Sequence, residues 1–144
     1  MQVFFEKINS KDKECAIIKA VEKNKQIELA IEMLEGKKRS IPVTLSEQAL
    51  FCDINDIFYI ESVDKKTFVY TKDNCYSAKY RLYELEDMLG PFFMRCSKSM
   101  IINLKKIKSV KSEIGGRMNA TLLSKEVIII SRSYVKEMKR RLEL

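Results

Sequence analysis

Phe92-Phe93-Met94-Arg95-Cys96-Ser97-Lys98-Ser99-Met100-Ile101-Ile102-Asn103 sets an arginine, a lysine and two serines between two apolar runs. Apolar triplets on either side anchor both ends in a core and leave Arg95, Ser97, Lys98 and Ser99 on a polar turn with little freedom. Side chains held that way are suited to contact an anion. Further along, Val127-Ile128-Ile129-Ile130 reads as a buried strand, and Ser131-Arg132-Ser133-Tyr134 follows it directly, presenting a second arginine at a strand end.

Working outward, the chain of 144 residues is long enough for one domain with a small addition, and buries a core without disulfides or metals. Its four cysteines, Cys15, Cys52, Cys75 and Cys96, show no Cys-x-x-Cys spacing, and there is no histidine. Neither a zinc site nor a secreted disulfide framework is suggested, no cofactor is expected, and reduced thiols in a cytoplasmic protein are the simplest reading. No apolar run approaches the roughly 18 residues of a membrane span. Without histidine there is no Ser-His or Cys-His pair, and the four glycines form no phosphate-cradling loop. Ser62-x-x-Lys65 and Ser133-x-x-Lys136 imitate a Ser-Lys dyad, a spacing expected by chance among twenty lysines. A non-enzyme is expected.

The net charge of +7 is unevenly spread. Residues 1–40 carry nine basic and seven acidic side chains, residues 41–91 five and nine, and residues 92–144 thirteen and four. The basic excess therefore lies in the segment that holds both arginine motifs, and a single-sign field of that kind captures polyanions. A merely solvated surface is the plain alternative.

Along the chain, Val3-Phe4-Phe5 and Cys15-Ala16-Ile17-Ile18 read as two short strands in a hairpin-like arrangement. Asn24 then precedes the helical stripe Ile27, Ala30, Ile31 and Leu34, with Gly36 placed for a left-handed cap. Lys37-Lys38-Arg39-Ser40 is the expected junction, dividing a strand–strand–helix extension over 1–40 from a domain over 41–144. From Pro42 the pattern turns to strands: Val43 and Leu45, Ala49 to Cys52, Ile57 to Ile60, Phe68 to Thr71, and Cys75 to Tyr80. Leu82, Leu85, Met88 and Leu89 supply a short helical face that Gly90-Pro91 ends. Three more short strands are expected at Ile107 to Val110, Met118 to Leu123 and Val127 to Ile130, with Gly115-Gly116 as a turn and Ser133 as the cap of a last helix. The phenylalanines, Tyr59, Tyr70 and the methionines are expected in the core.

Phe-x-Arg-Cys-x-x-Ser-x-Ile-x-Asn-Leu, followed about thirty residues later by Ile-Ser-Arg-x-Tyr, resembles the LytTR DNA-binding domain of bacterial transcription regulators, over roughly Ile41 to Leu144. The resemblance implies a mainly β fold, an elongated β-sandwich of short strands with a few short helices. It also implies a homodimer on paired promoter sites, with double-stranded DNA read in successive major grooves by loops. Forty residues before Ile41 are too few for a phospho-acceptor receiver domain, so a stand-alone version is expected, its extension a candidate for dimerisation or for a regulatory protein partner.

Arginine and lysine donate to guanine O6 and N7, the chemistry base reading requires. Matching positions implicate the Lys66-Thr67 turn, Lys98 and Arg132 as readers. Ser97 stands where many relatives carry histidine, which leaves sequence preference open. Arg95 suits either a phosphate clamp or a fold residue paired with a carboxylate, and Asn103 suits the pinning of a turn. Lys136 and Lys139, with Arg140 and Arg141, form the outer face of the last helix and suit phosphates. The competing reading is a basic interaction module that binds RNA or an acidic protein partner.

Overall fold

Asn24 caps the first helix: its Oδ1 accepts from the Ile27 N–H at 3.0 Å and opens α1 (Lys25–Leu34). Gly36 follows with φ +70°, the left-handed conformation glycine adopts without a Cβ penalty. The structure, a computed structural model, describes residues 1–36 and 39–144. It divides into the units Met1–Lys37 and Lys38–Leu144. Of the expected junction, Lys37 and Lys38 lie outside the described residues.

The N-terminal hairpin expectation is corrected. Neither Val3–Phe5 nor Cys15–Ile18 forms a strand; a single 3-10 turn at Lys11–Lys13 stands between them. Three or four apolar residues joined by a long polar stretch gain too little to order a ladder, since even an isolated two-stranded hairpin is marginal in water. Phe4 and Phe5 are exposed rather than core.

In the second unit strands dominate, and period-two alternation assigns their faces. β1 (Ser40–Leu45) buries Ile41 and Val43 and turns back through Ser46-Glu47 into β2 (Gln48–Asp53). A 3-10 turn over Ile54–Asp56 leads to β3 (Tyr59–Val63), β4 (Lys66–Tyr70) and β5 (Cys75–Ala78), the expected meander. After α2 (Leu82–Leu89), β6 (Phe93–Ser97) and β7 (Met100–Asn103) complete an antiparallel sheet of order β2-β1-β5-β4-β3-β7-β6. A second, three-stranded sheet contains β8 (Ile107–Ser112), β9 (Met118–Leu122) and β10 (Val127–Ile130), in the order β10-β9-β8. The chain ends in α3 (Arg132–Leu142).

Parity sorts the seven-stranded sheet into two cores. Ile60, Val69, Phe93 and Ile101 face one way and pack with Leu82, Leu85 and Leu89 of α2. Their neighbours Tyr59, Met94, Cys96 and Ile102 face the other way and meet Met118, Ala120, Leu122, Ile128 and Ile130 of the small sheet and Met138 of α3. The domain is thus mainly β and layered, as its resemblance implies. Tyr59 stacks on its cross-strand partner Tyr70 with centroids 4.4 Å apart, and its hydroxyl donates to Glu126 at 2.7 Å, tying the large sheet to the β9–β10 turn. Burial, then the Glu126 carboxylate, raise the Tyr59 pKa. Arg39 donates to the carbonyls of Met88 and Leu89, a cation placed on the C-terminal end of α2.

Four other core assignments differ, and among them Met1 and Met33 are exposed. Phe51 is exposed on the edge strand β2, and Phe92, 42 % exposed, lies outside the strand with the Lys105 ammonium 3.9 Å from its ring centroid. Phe93 and Met94 carry the anchoring that all three residues were expected to share.

Thiol chemistry follows the same burial. Desolvation pushes Cys52 up to about 11 and Cys96 up to about 12, whereas Cys15 and Cys75 are exposed. A thiol whose pKa is raised stays protonated and unreactive at pH 8. In the folded protein an aromatic disulfide reagent should therefore titrate two thiols promptly, with the remaining two released on denaturation. Prompt reaction of all four would contradict the packing around Cys52 and Cys96.

Candidate nucleic-acid interface

Turns gather at one end of the second unit because the antiparallel register puts them there. β3 and β4 pair from Tyr59↔Tyr70 to Val63↔Lys66, leaving Asp64-Lys65 as a two-residue turn with both φ positive, 51° and 64°. β7 pairs with β3 so that Met100 lies opposite Glu61, which brings the Lys98-Ser99 turn to the same end. The Ser62 N–H donates to the Ser99 carbonyl at 2.8 Å and ties the two turns together. The Ser131 N–H donates to the Cys96 carbonyl at 2.8 Å, attaching the start of α3 to this group. Register in the small sheet, Ile130↔Met118 and Ser112↔Met118, delivers the β8–β9 turn there as well.

The β6–β7 turn is built from inside. A bulge between Arg95 and Ser97 breaks the regular register, and the carbonyl at Cys96 is the one that receives Ser131. Arg95 shares the face of Phe93 and points toward α2, where its Nε lies 3.5 Å from Glu86 Oε2, an ion-pair contact without hydrogen-bond alignment. Its Nη1 donates to the Lys98 carbonyl at 2.8 Å. Arg95 thus holds the turn's own backbone through Lys98 and lies beside a carboxylate of α2. Ser97 Oγ accepts from the Ser99 N–H at 3.3 Å, a local backbone-to-hydroxyl bond within the turn. Lys98 is exposed at the tip.

The Lys66-Thr67 expectation divides. Thr67 is not on the turn: it lies in β4, is 5 % exposed, and its Oγ1 donates to the Tyr80 carbonyl at 2.7 Å. A buried hydroxyl with its donor committed has no edge to offer a base. Lys66 is exposed as the first residue of β4, and Lys65 beside it occupies the turn itself, a residue that sequence reasoning passed over.

Arg132 sits on the last helix rather than on a loop. Ser131, not Ser133, occupies the N-cap, so Arg132 is the first helical residue and its side chain is exposed. A helix N-terminus carries partial positive charge, and α3 has no acidic residue in its first turn. An arginine there is unfavourable for the helix by about 0.3–1 kcal/mol and is suited to an incoming anion. Lys136 and Lys139 are exposed on α3, while Met138 is buried beneath.

Two arginines of α3 are more engaged than their sequence suggests. Glu137 accepts from Arg140 Nη2 at 2.6 Å and from Arg141 Nε at 2.9 Å. Hydrogen bonds from these guanidinium groups hold the Glu137 carboxyl down to about 2. Its contribution, screened by solvent at this exposed site, is thus present above the ordinary carboxylate range and lost progressively as pH falls from there through about 2. Arg141 Nη1 also donates to the carbonyls of Pro91 and Phe93, at 3.2 and 3.1 Å, and so pins α3 to the start of β6.

The model of the LytTr DNA-binding domain matches residues 47–143 of this sequence. The chain belongs to that family. The solved LytTr DNA-binding domain of a putative methyl-accepting/DNA response regulator from Bacillus cereus superposes on it with a TM-score of 0.70 at 25 % identity, covering 74 % of this chain and 99 % of that one. Among curated relatives, the transcriptional regulatory protein YpdB of Escherichia coli K12 is 32 % identical over 107 residues, 73 % of this chain. The match spans 44 % of that relative's length, less than half of it. An uncharacterized HTH-type transcriptional regulator of Staphylococcus aureus strain MSSA476 is 28 % identical over 140 residues, 95 % of both chains. In this LytTr chain five strands separate α1 from α2 and five more separate α2 from α3, so no two of these helices are consecutive.

Proposed function

We propose that this LytTr protein is a cytoplasmic transcriptional regulator that binds specific double-stranded promoter sites as a homodimer and reads major-groove base edges from one end of its β domain. Lys66, Lys98 and Arg132 are the readers, with Lys65 beside Lys66, and Lys136 and Lys139 meet the phosphates. The observation that carries this reading is the convergence of those exposed cations on backbone-tied turns and the first turn of α3. Families of relatives named as transcriptional regulators support it. The separation of the helices by five strands each favours reading from turns over a recognition helix of the helix-turn-helix kind. The Met1–Lys37 unit, with apolar side chains exposed at Val3, Phe4 and Phe5, is assigned to partner contact or dimerisation.

A mobility shift on the duplex upstream of the protein's own gene tests this directly. Retention against excess non-specific DNA at physiological salt is expected. Loss under competition, with retained binding to RNA or to an acidic protein, would instead favour the basic interaction module.

Lys136 and Lys139 provide a separate check, because long flexible stems on a helix face reach phosphates rather than bases. Replacing both with glutamine is expected to weaken specific and non-specific duplexes alike and to flatten the slope of log affinity against log salt by about one unit per lost contact. A loss confined to one sequence would show that they read bases.

A further inference from the structure

Arg132 must hold its guanidinium in a fixed plane to read a base, yet its stem has several freely rotating bonds and, among the described residues, nothing accepts a hydrogen bond from its head. What borders that stem is a glycine of the β8–β9 turn. A Cβ built on Gly116 would lie 2.9 Å from Arg132 Cδ and 3.0 Å from Cγ, closer than carbon atoms pack. The arginine therefore runs along bare backbone that only glycine leaves open. The turn is itself fixed, since the Glu113 N–H donates to the Arg117 carbonyl at 2.8 Å below it.

We propose that Gly116 is a positioning residue for Arg132, and that the β8–β9 turn thereby sets which base edge the arginine reaches. This rests on the assignment of Arg132 as a base reader. The contacted atoms belong to a surface side chain, so an added methyl group displaces the arginine instead of unpacking the core. Gly116 has φ +82°, so any substitution there also strains the backbone. Gly115 is the matched control: it has φ +88° in the same turn, and its added Cβ meets nothing within 4 Å.

The test compares Gly116→Ala, Gly115→Ala, Arg132→Ala and the Gly116→Ala/Arg132→Ala double variant. Each full-length protein is titrated against the specific duplex and against duplexes altered at single base pairs, with thermal melting alongside. Gly116→Ala is expected to lose on the order of tenfold in specific affinity. The loss should fall at the same base pair at which Arg132→Ala loses preference, with the salt slope unchanged. Gly115→Ala, which also puts an alanine at a positive φ, should bind as wild type, and the double variant should bind no more weakly than Arg132→Ala alone. Equal losses in both glycine variants, additive losses in the double variant, or wild-type binding by Gly116→Ala overturn the positioning role. Unchanged binding by Arg132→Ala overturns the assignment on which that role rests, and identifies itself separately.

Discussion

Arg132→Ala is expected to lose about 1–3 kcal/mol of specific binding, to relax preference at one base position, and to melt close to the wild-type temperature. Strand β10 and the buried Met138 supply the local packing, and Arg132 itself is exposed, so removing its side chain leaves no cavity. Helix α3 gains slightly from the change, because a cation leaves the positive end of the macrodipole. Fluorescence anisotropy against matched and single-base-altered duplexes, with a thermal melt monitored by circular dichroism, measures both halves. Unchanged affinity would remove Arg132 from the readers, and a collapsed melt would make it structural.

Asn103→Ala carries the largest expected cost in stability, about 2–4 kcal/mol. Asn103 is 2 % exposed; its Nδ2 donates to the Ile57 carbonyl at 2.7 Å and its Oδ1 accepts from the Lys105 N–H at 3.0 Å. Its own N–H donates to the Phe58 carbonyl at 3.0 Å. One side chain thus fastens the end of β7 to the segment entering β3. Alanine would leave the Ile57 carbonyl buried without its donor, and the melting temperature should fall by about 10 °C or more. A shift of a degree or two would mean that water replaces the amide at no cost.

Much of this site was readable because strand parity is rigid. The alternation of Phe93, Met94 and Cys96 fixes which neighbours share a face, and it puts Arg95 with Phe93, on the side where α2 supplies Glu86. Asn103 as a pin, Asn24 as a cap and the strands from Val43 to Ile130 follow from equally local signals. The misplacements share a cause: local chemistry offered two equivalent answers and a distant partner chose between them. Asp64-Lys65-Lys66-Thr67 holds four polar residues, any two of which suit a turn, and the β3–β4 register selects Asp64-Lys65 and sends Thr67 inward. Ser131 and Ser133 are both credible caps, and the bond from Ser131 N–H to the Cys96 carbonyl selects the first. The N-terminal apolar runs looked like strands because β propensity names a preference, whereas a ladder needs a partner. The contact between Gly116 and Arg132 had no signal in sequence beyond the glycine pair itself.

The bonds that tie these turns together, Ser62 N–H to Ser99 and Ser131 N–H to Cys96, run between main-chain groups. Exposed side chains at positions 65, 66, 98 and 132 are therefore decoupled from the cost of keeping the turns in place. At positions 66 and 98, exchange for another polar residue changes the folding free energy by about 0.5 kcal/mol or less, the usual scale for surface positions. At 132 the helix N-terminus adds about 0.3–1 kcal/mol, and at 65 the left-handed φ of 64° favours asparagine, aspartate or glycine. On the proposed assignment of these four positions as readers, gene duplication followed by drift there retargets a paralogue to a new operator without passing through an unfolded ancestor, and the same four positions form a library that a designer can randomise on one scaffold.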